Sequence, residues 1–307
     1  MPELPEVQTT VNILNHRIKG LSILDVWTDY NSPFNYGKGN IKDIKYFPFF
    51  RKEVINKRIL SVTRRGKNVL INVSGNHTKG RAGKTILVHM KMTGHLLYGK
   101  YRFQDKKWFP IDEGPLTDPY NRFIHVAFSL SNKNTLVLSD ARKFAKVFVF
   151  DTDNIHKMTD LEKLGPEPLE KSFTCKIFKE RLFKKPNRKI KTVLMDQEII
   201  AGIGNIYSDE VLWQTCLHPE TRIKDINEKK LKLLYKSIIK ILKHSIKVGG
   251  DSMSDYRNPN GEKGGFQLLH KVYKKVGEKC EMKNCHGIVR RIKVGGRSAH
   301  FCDVHQK

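Results

Sequence analysis

Three cysteines and one histidine close to the carboxyl end of the chain have the spacing of a metal site. Their order is Cys280-x4-Cys285-x16-Cys302-x2-His305. Two short-spaced pairs allow four ligands to converge in a tetrahedron, and zinc is the usual occupant of such Cys3His sets in a reducing cell. We therefore predict one structural Zn2+ ion, with His286 and His300 as alternative ligands. The other interpretation is a group of thiols without a metal.

The amino terminus contains a second group of residues whose types could support catalysis. If Met1 is removed, Pro2 carries the α-amino group, which titrates near ~8, whereas a lysine titrates near ~10.4. Its neutral form is then far more abundant at pH 7, so Pro2 is a candidate for forming a Schiff base. Glu3 and Glu6 lie within one helical turn and could act as an acid or position water. The alternative is structural, because proline and acidic residues suit the first turn of any helix.

Three basic or glycine-rich segments have the composition of phosphate-binding elements. Residues 201–205 (AGIGN) join two helical patterns, and we expect Asn205 to cap the second helix beside an exposed row of backbone amides. Residues 64–67 (RRGK) could clamp a phosphate backbone or simply end a strand. The segment between the two ligand pairs carries Arg290, Arg291, Lys293 and Arg297. These are more cations than a structural metal site needs, which favours a contact with phosphates.

The net charge indicates the class of partner. Lys and Arg number 57 against 31 Asp and Glu, which gives a formal net charge of +26. Such an excess favours nucleic acid or an acidic membrane surface. The sequence has no basic amphipathic helix with a broad apolar face and no apolar run of the roughly 18 residues that a membrane span needs. Five cysteines and a start without signal-peptide features predict a protein of a reducing compartment.

The first 150 residues are predicted to form an antiparallel β-sandwich behind one helix. Val7, Val11, Leu14 and Ile18 are spaced for one helical face. Seven later segments combine Val, Ile, Thr and Phe enrichment with partial alternation, and polar or glycine-rich stretches separate them. They are residues 21–27, 59–65, 68–73, 85–90, 123–130, 135–139 and 146–150. The absence of strand–helix alternation argues against a parallel sheet.

The pattern changes after a Pro-Glu-Pro triplet at 166–168, so we place a linker at residues 151–172. Helical spacing then occupies residues 176–183, 188–195, 206–213 and 228–248. Residues 251–265 are rich in Asn, Pro and Gly and poor in apolar side chains, which predicts a long exposed loop. The expected domains are thus an N-terminal catalytic sandwich at 1–150, a helical domain with this loop at 173–270 and a zinc finger at 271–307.

Seven motifs along the chain form a recognisable series. They are MPELPEV at 1–7, RRGK at 64–67, HMKMTG at 89–94, DARKF at 140–144, LGPEPL at 164–169, LMDQEIIAGIGNIYSDE at 194–210 and GRSAHFC at 296–302. In order and spacing the series resembles the formamidopyrimidine-DNA glycosylase and endonuclease VIII family, and formamidopyrimidine-DNA glycosylase most closely. The resemblance implies an α+β multidomain protein with an N-terminal antiparallel β-sandwich, a helix-two-turn-helix domain and a C-terminal zinc-finger β-hairpin. It also implies that damaged double-stranded DNA binds between the domains.

The same resemblance implies catalytic roles. Pro2 would attack C1′ of a flipped, damaged nucleotide, and Glu3 would be the acid that opens the sugar ring. Glu6 would support the reacting centre. Lys67 and Arg297 would complete the catalytic set by holding phosphates around that nucleotide.

Further residues match the DNA-binding positions of the family. Asn205 would join Lys67 and Arg297 in contacting the phosphates. Met92, Arg142 and Phe144 would fill the space that the flipped base leaves, and the loop at 251–265 would cap that base. Residues 100–120 resemble an insertion relative to shorter members.

The expected function is that of a bifunctional DNA glycosylase and abasic-site lyase of base excision repair. It would excise formamidopyrimidines and 8-oxoguanine through a proline Schiff base and cut the strand by β,δ-elimination. Alternatives are the same chemistry on oxidised pyrimidines or single-stranded DNA, and a non-catalytic, zinc-containing damaged-DNA-binding protein. An RNA-associated basic protein is less favoured because no aromatic stacking signature is present. We expect an intracellular, DNA-associated monomer, located in the cytoplasm or nucleoid if the source is bacterial.

Overall fold

The computed structural model describes residues 1–30, 38–75 and 83–307, which form two compact units. The first unit comprises residues 1–162 together with 249–265, and the second comprises 163–248 together with 266–307. The loop that we grouped with the helical domain thus packs within the first unit. Part of the expected linker also belongs there, as a 3-10 turn (Thr152–Lys157) followed by the short helix α3 (Thr159–Glu162).

The chain begins with helix α1 (Leu4–Ile18), as its apolar spacing predicts. Val7, Leu14 and Ile18 are completely buried. The polar face of α1 is also used, because the side chain of Asn15 accepts a hydrogen bond from the Val62 amide at 2.8 Å. A second helix, α2 (Phe47–Val54), was not predicted, since it turns only Phe50 and Val54 into the core.

The first unit contains ten strands within the described residues. The strands are β1 (Ile23–Thr28), β2 (Ile59–Arg65), β3 (Asn68–Val73), β4 (Lys84–His89), β5 (His95–Gly99), β6 (Tyr101–Gln104), β7 (Lys107–Pro110), β8 (Ile124–Leu130), β9 (Thr135–Ser139) and β10 (Lys146–Asp151). One antiparallel sheet has the order β1-β8-β9-β5 and the other has the order β10-β4-β3-β2, while β6 and β7 pair as a separate hairpin. The predicted β-sandwich is therefore confirmed.

The first sheet is buried on both faces. Leu96, Val126 and Leu138 belong to the main core that this sheet shares with the second sheet. Their neighbours Leu97, Ala127 and Val137 point the other way, into a smaller cluster with Trp27 and Trp108. The β6–β7 hairpin, which lies in the segment that resembles an insertion, thus covers the outer face of the sheet.

The second unit is mainly helical and ends in a hairpin. Its helices are α4 (Cys175–Leu182), α5 (Ile190–Leu194), α6 (Asn205–Gln214) and α7 (Glu228–Lys247), and its strands are β11 (Val289–Val294) and β12 (Arg297–Cys302). The turn at Gly295 and Gly296 has positive φ angles of 56° and 80°, which favour glycine and match the twist of a two-residue hairpin. No helix among the described residues is long and apolar enough to cross a bilayer.

The loop at 251–265 contains neither helix nor strand, as predicted, but the prediction that it is exposed is wrong. Tyr256, Arg257, Asn258, Pro259 and Gly261 are all buried. Tyr256, Arg257 and Pro259 hydrogen-bond to residues far away in the sequence, so composition alone could not indicate their burial.

Candidate functional site

The start of α1 brings two carboxyl groups beside Pro2. Glu3 is the residue that caps the helix, and its backbone amide donates a hydrogen bond of 2.8 Å to Oε2 of Glu6. Pro2 is buried, and only 2% of Glu3 and 1% of Glu6 are exposed. The structural alternative, that proline and acidic residues suit the start of a helix, thus describes Pro5 and Glu6, while Glu3 stands one position earlier as the cap. If Met1 is removed, their burial beside Pro2 also provides the groups that amine chemistry would use.

Glu6 holds the loop that follows α7. Its Oε1 accepts a hydrogen bond of 2.7 Å from the Asp251 amide, and its backbone carbonyl accepts one of 2.9 Å from the Tyr256 hydroxyl. Gly250 packs so closely that a Cβ there would lie 2.9 Å from Oε1 of Glu6. A carboxylate that accepts hydrogen bonds from two backbone amides is fixed in position. Glu6 therefore orients both the start of the chain and this loop.

Lys67 lies in the tight turn between β2 and β3, where Gly66 has a φ of 57°. Asn68, the next residue, pairs with His89 at the end of β4. The turn is joined to α1 by Arg64, whose Nε donates a 2.8 Å hydrogen bond to the side chain of Gln8. Burial and the nearby charges of Lys91 and Lys67 lower the pKa of His89 to about 3, so this histidine is neutral. The positive charge at this edge of the sheet therefore comes from the lysines.

Two loops that cross between the sheets lie side by side at the same edge. Residues 90–94 connect β4 to β5, and residues 140–145 return from β9 to β10. The register pairs His95 with Ser139 and His89 with Lys146, so both crossings start and end next to each other. These loops carry Met92 and the pair Arg142 and Phe144, so the structure brings the three residues of the predicted void-filling group onto neighbouring loops.

Asp140 joins the two loops. It is completely buried, and its carboxylate accepts hydrogen bonds from the Thr93 hydroxyl, from the Tyr30 hydroxyl at 2.9 Å and from the Ala145 amide at 2.7 Å. Burial and the charge of Asp140 raise the pKa of Tyr30, which therefore remains a protonated donor. Asp140 and Thr93 stand in the motifs at 140–144 and 89–94, yet we gave them no role from sequence. A buried acid in a loop between strands is the signal that could have identified them.

Phe144 and Arg142 project from their loop. Phe144 is 48% exposed, and the Arg142 guanidinium carbon lies 4.4 Å from the centre of its ring. Lys143 between them has a φ of 54°, a left-handed conformation that turns the chain sharply. An exposed ring next to a cation on a braced loop can stack on or between bases.

In the second unit, Asn205 is the first residue of α6 and not its cap, which corrects the expectation. Gly204 occupies the cap position, and the side-chain oxygen of Asn205 has no hydrogen-bond partner within the described residues. The preceding turn is held by Gln197, whose side chain accepts from the Gly202 amide at 2.8 Å and donates to the Ile203 carbonyl at 2.7 Å. Asn205 thus stands at the start of a ten-residue helix, where the exposed backbone amides favour an anion.

A buried ion pair connects α5, α6 and the hairpin. Lys191 donates to one oxygen of Asp209 at 2.6 Å, and the other oxygen accepts from the backbone amide and the ring of His300 at 3.0 and 2.9 Å. Both ionic side chains are completely buried. Asp209 lies one turn after Asn205, and His300 lies three residues after Arg297, so the pair positions both predicted phosphate ligands within this unit. Lys191 and Asp209 are functional neighbours that we did not identify from sequence.

Cys280, Cys285, Cys302 and His305 form a cluster whose ligand atoms all lie within 4.8 Å of one another. Sγ of Cys280 is 3.3 Å from Nδ1 of His305, and Sγ of Cys285 is 3.5 Å from Sγ of Cys302. These separations suit the edges of a tetrahedron, which are about 3.7 Å for metal–sulfur bonds of about 2.3 Å. The predicted metal-ligand set therefore converges and fits a single tetrahedral ion.

The surroundings of the cluster favour metal binding through Nδ1 of His305. Nε2 of this ring lies 3.2 Å from the Trp213 carbonyl, which can only accept a hydrogen bond. Nε2 must therefore carry the proton, and Nδ1 is left as the ligand. Burial lowers the pKa of His305, which favours the neutral ring that metals bind. Of the alternative ligands, His300 pairs with Asp209 and His286 lies outside the described cluster.

The structure leaves Arg297 exposed at the start of β12, immediately after the hairpin turn. Pro2, Glu3, Glu6, Lys67, Met92, Arg142 and Phe144 belong to the first unit, whereas Asn205, Arg297 and the metal ligands belong to the second.

Comparison with known proteins identifies the family. Residues 1–147 match the formamidopyrimidine-DNA glycosylase N-terminal domain, and residues 164–257 match the formamidopyrimidine-DNA glycosylase H2TH domain. The chain is 34% identical to the formamidopyrimidine-DNA glycosylase of Pelotomaculum thermopropionicum, over 100% of this chain and 99% of that protein.

Two solved structures show the same fold. One is Lactococcus lactis Fpg in complex with DNA that contains an abasic site, with 32% identity, a TM-score of 0.80 and 99% coverage of both chains. The other is wild-type Lactococcus lactis Fpg with DNA that contains N7-benzyl-Fapy-dG, with 33% identity, a TM-score of 0.80 and complete coverage of both chains. The domain matches, the full-length identity and the shared fold agree. This chain therefore belongs to the formamidopyrimidine-DNA glycosylase family.

Proposed function

We propose that this chain is a bifunctional DNA glycosylase and abasic-site lyase that removes oxidised bases, formamidopyrimidines and 8-oxoguanine first among them, from double-stranded DNA. The observation that carries the proposal is the start of α1, where Pro2 precedes two buried carboxyl groups and Glu6 is fixed by two backbone amides. The solved relatives in complex with abasic and formamidopyrimidine DNA support this class of substrate.

In the first step, the Pro2 nitrogen forms a bond to C1′ of the damaged nucleotide as the bond from C1′ to the base breaks, and the base leaves with the electron pair of that bond and with the proton that the nitrogen loses. Pro2 is the nucleophile because a neutral secondary amine is available at its nitrogen once Met1 has been removed. Glu3 supplies a proton to the ring oxygen, the sugar opens, and an iminium ion links Pro2 to C1′. Loss of a C2′ proton then expels the 3′ phosphate, and a second elimination expels the 5′ phosphate.

Glu6 acts by holding the reacting groups in place. Both of its side-chain oxygens accept hydrogen bonds from backbone amides, so it fixes Glu3 on one side and Asp251 on the other. Positioning of this kind lowers the activation free energy, because the entropy cost of orienting the reacting groups is paid before the reaction.

The remaining residues grip and deform the DNA. Lys67, Asn205 and Arg297 bind phosphates around the extruded nucleotide, consistent with the net charge of +26. Met92, Arg142 and Phe144 fill the vacated space, since flipping a base costs a few kcal/mol of stacking and pairing. The exposed ring of Phe144 and its adjacent guanidinium suit a wedge between bases.

The metal has a structural role in this proposal. Cys280, Cys285, Cys302 and His305 would hold one Zn2+ ion, which would stabilise the hairpin that presents Arg297. The hairpin is too small to form a core of its own, so the ligands must fix its base.

Borohydride trapping tests the chemistry directly. Duplexes that carry 8-oxoguanine, an oxidised pyrimidine or an abasic site are incubated with the chain and reduced, and covalent adducts are counted. We expect an adduct with the processed chain, a weaker adduct with Pro2→Gly and none when Met1 is retained, because the Pro2 nitrogen is then an amide. Lys179→Ala is the matched control, since it removes a side-chain amine that pairs with Glu228 and has no proposed contact with DNA, and it keeps the amino-terminal amine.

The lesion that traps best defines the substrate. Preferential trapping on the oxidised pyrimidine would replace the proposed purine lesions with the alternative substrate class. The absence of adducts on every lesion, with tight binding intact, would leave a non-catalytic binder of damaged DNA.

A further inference from the structure

Residues 115–121, which follow the β6–β7 hairpin, pack against the loop at 251–265 inside the first unit. The central contact is an ion pair between Asp118 and Arg257, with Nε and Nη2 of the arginine 3.0 and 3.3 Å from the two carboxylate oxygens. The Tyr120 ring lies 4.8 Å from the guanidinium carbon. An arginine in the middle of a polar loop is thus covered by a segment more than 130 residues earlier in the chain.

Arg257 is one of the largest completely buried side chains in the structure. Its remaining donor nitrogen, Nη1, donates to the carbonyls of Ser254 and Tyr256 at 3.1 and 2.9 Å, so the guanidinium ties the loop to itself as well as to Asp118. Burying a charge is costly unless it is paired and hydrogen-bonded. Loss of Asp118 would therefore leave a buried cation that the loop could satisfy only by opening.

A second group of contacts lies beside the ion pair. Gly261 has a φ of 87°, and a Cβ there would come within 2.6 Å of the Pro115 carbonyl group. The Tyr98 amide donates to the Pro259 carbonyl at 2.8 Å. Asn121 donates to the Pro115 carbonyl at 2.9 Å and pairs with the buried His95 ring at 2.9 Å, which anchors the 115–121 segment to β5.

The same loop reaches the proposed catalytic residues at its other end. Asp251 donates its amide to Oε1 of Glu6, and the Tyr256 hydroxyl donates to the Glu6 carbonyl. Tyr256 is the direct neighbour of Arg257. The loop is therefore held at one end by Glu6 and in its middle by Asp118.

We propose that Asp118 and Arg257 are positioning residues for base excision: they hold the loop at 251–262 in one ordered conformation, so that an extruded damaged base meets a preformed surface. This inference rests on the proposed function, because it assigns the loop to the recognition of the base. Preordering lowers the entropy cost of capture and keeps the surface close to the reacting atoms. The 115–121 segment would thereby make recognition of the base depend on residues outside the catalytic set.

Asp118→Asn tests the proposal, since it keeps the shape of the side chain but removes its charge. Single-turnover rates are measured on two duplexes, one with a damaged base and one with a preformed abasic site. We expect excision of the base to slow by about tenfold or more, given the sensitivity of rates to small misplacements. Cleavage at the abasic site should change little, because that substrate has no base for the loop to hold.

Hydrogen exchange gives a readout that does not depend on activity. Amides of residues 252–262 should exchange faster in Asp118→Asn, while the strands of both sheets keep their protection. Gly261→Ala should have the same selective effect through the other contact. Asp25→Asn is the control: Asp25 also pairs with an arginine, Arg51, at 2.7 and 3.0 Å, but both side chains are about half exposed and lie elsewhere on the sandwich.

The outcomes separate the two proposals. Equal slowing on both duplexes, or unchanged exchange in the loop, would overturn the positioning role of Asp118 and Arg257. If the unaltered chain cleaves neither duplex and forms no adduct, the proposed function itself fails. Faster exchange of the loop in Asp118→Asn would then show only that the ion pair stabilises the loop.

Discussion

The two units hold their functional residues by different means. In the first unit, buried carboxylates fix the segments around Pro2 and Phe144. Glu6 accepts hydrogen bonds from backbone amides beside Pro2, and Asp140 accepts them from an amide and a hydroxyl at the Phe144 loop. In the second unit, the base of the hairpin depends on the Cys3His cluster and on the buried pair of Lys191 and Asp209.

The difference follows from the size of the available core. The sandwich buries a continuous apolar cluster between two four-stranded sheets, so its loops need only local fixing. The cluster under the hairpin contains only a few apolar residues around Trp213, Val272 and Val289, together with the metal-ligand cysteines. A small element of this kind usually needs a metal or another cross-link in place of a core. We therefore expect the stability of the hairpin, but not that of the sandwich, to depend on the metal ligands.

Metal removal should have the largest effect, and the effect should be confined to the hairpin of the second unit. Chelation of the full chain should unfold residues 280–305, because binding of a structural metal supplies much of the folding free energy of such sites, about 10–16 kcal/mol in isolated zinc fingers. Hydrogen exchange should show loss of protection in β11 and β12, whereas β3, β4 and β9 keep theirs. Affinity for DNA should fall in parallel as Arg297 loses its position.

The control is restoration of both protection and affinity by stoichiometric Zn2+. Unchanged protection of the hairpin after verified loss of metal would show that the hairpin does not depend on its ligands, and the contrast between the units would disappear.

Asp140→Asn should have an intermediate effect, confined to the first unit. The amide can accept from only some of the four donors that the carboxylate serves, the fourth being the Arg142 amide at 3.4 Å. Thr93 cannot simply turn away, because its oxygen accepts from the same Arg142 amide at 3.1 Å. We expect a loss of about 2–3 kcal/mol in the free energy of unfolding, typical for hydrogen bonds to a buried charge. Denaturant unfolding followed by the fluorescence of Trp27 and Trp108 would measure it.

Tyr30→Phe is the matched variant, since it removes one of these donors and should cost about 1 kcal/mol. Equal stability of Asp140→Asn and the unaltered chain would mean that the two crossing loops are held by their strands alone.

Sequence could predict features that depend on neighbouring residues, but not contacts between residues that are distant in the chain. Strands β2, β3 and β9 have the predicted bounds because their apolar residues alternate or cluster locally. The metal ligands were predicted because short spacing within each pair already brings ligands together. Strand β5 was missed because it begins with a buried histidine, ends with a glycine and has no alternation of apolar and polar residues.

Contacts between distant residues account for the remaining misses. Arg257 looks like a surface residue in a polar loop, and only the fold brings Asp118 to it. Lys191, Asp209 and His300 are ordinary polar residues in the sequence until three elements bring them together. Likewise, only the structure shows that Gly204 is the helix cap and that the buried side-chain oxygen of Asn205 has no hydrogen-bond partner within the described residues. Pairings of this kind depend on tertiary geometry, which no local pattern encodes.

Phe144→Ala should have the smallest effect on stability and the most selective effect on function. The ring is about half exposed and stacks mainly on Arg142, so unfolding should change by less than about 1 kcal/mol. If Phe144 is the wedge, its loss removes the contact that offsets unstacking, and excision from duplex DNA should slow by about tenfold or more. Excision from single strands should hardly change, because there is no stack to replace.

Phe103→Ala is a stringent control for this variant, because Phe103 has the same exposure of 48% but lies on the β6–β7 hairpin against Trp27 and Trp108. It should leave the ratio of duplex to single-strand rates unchanged. Equal slowing of both substrates by Phe144→Ala would remove this residue from the wedge role. In that case the hydrogen bonds of Asp140 would stabilise the loop that carries Phe144 without contributing to the flipping of a base.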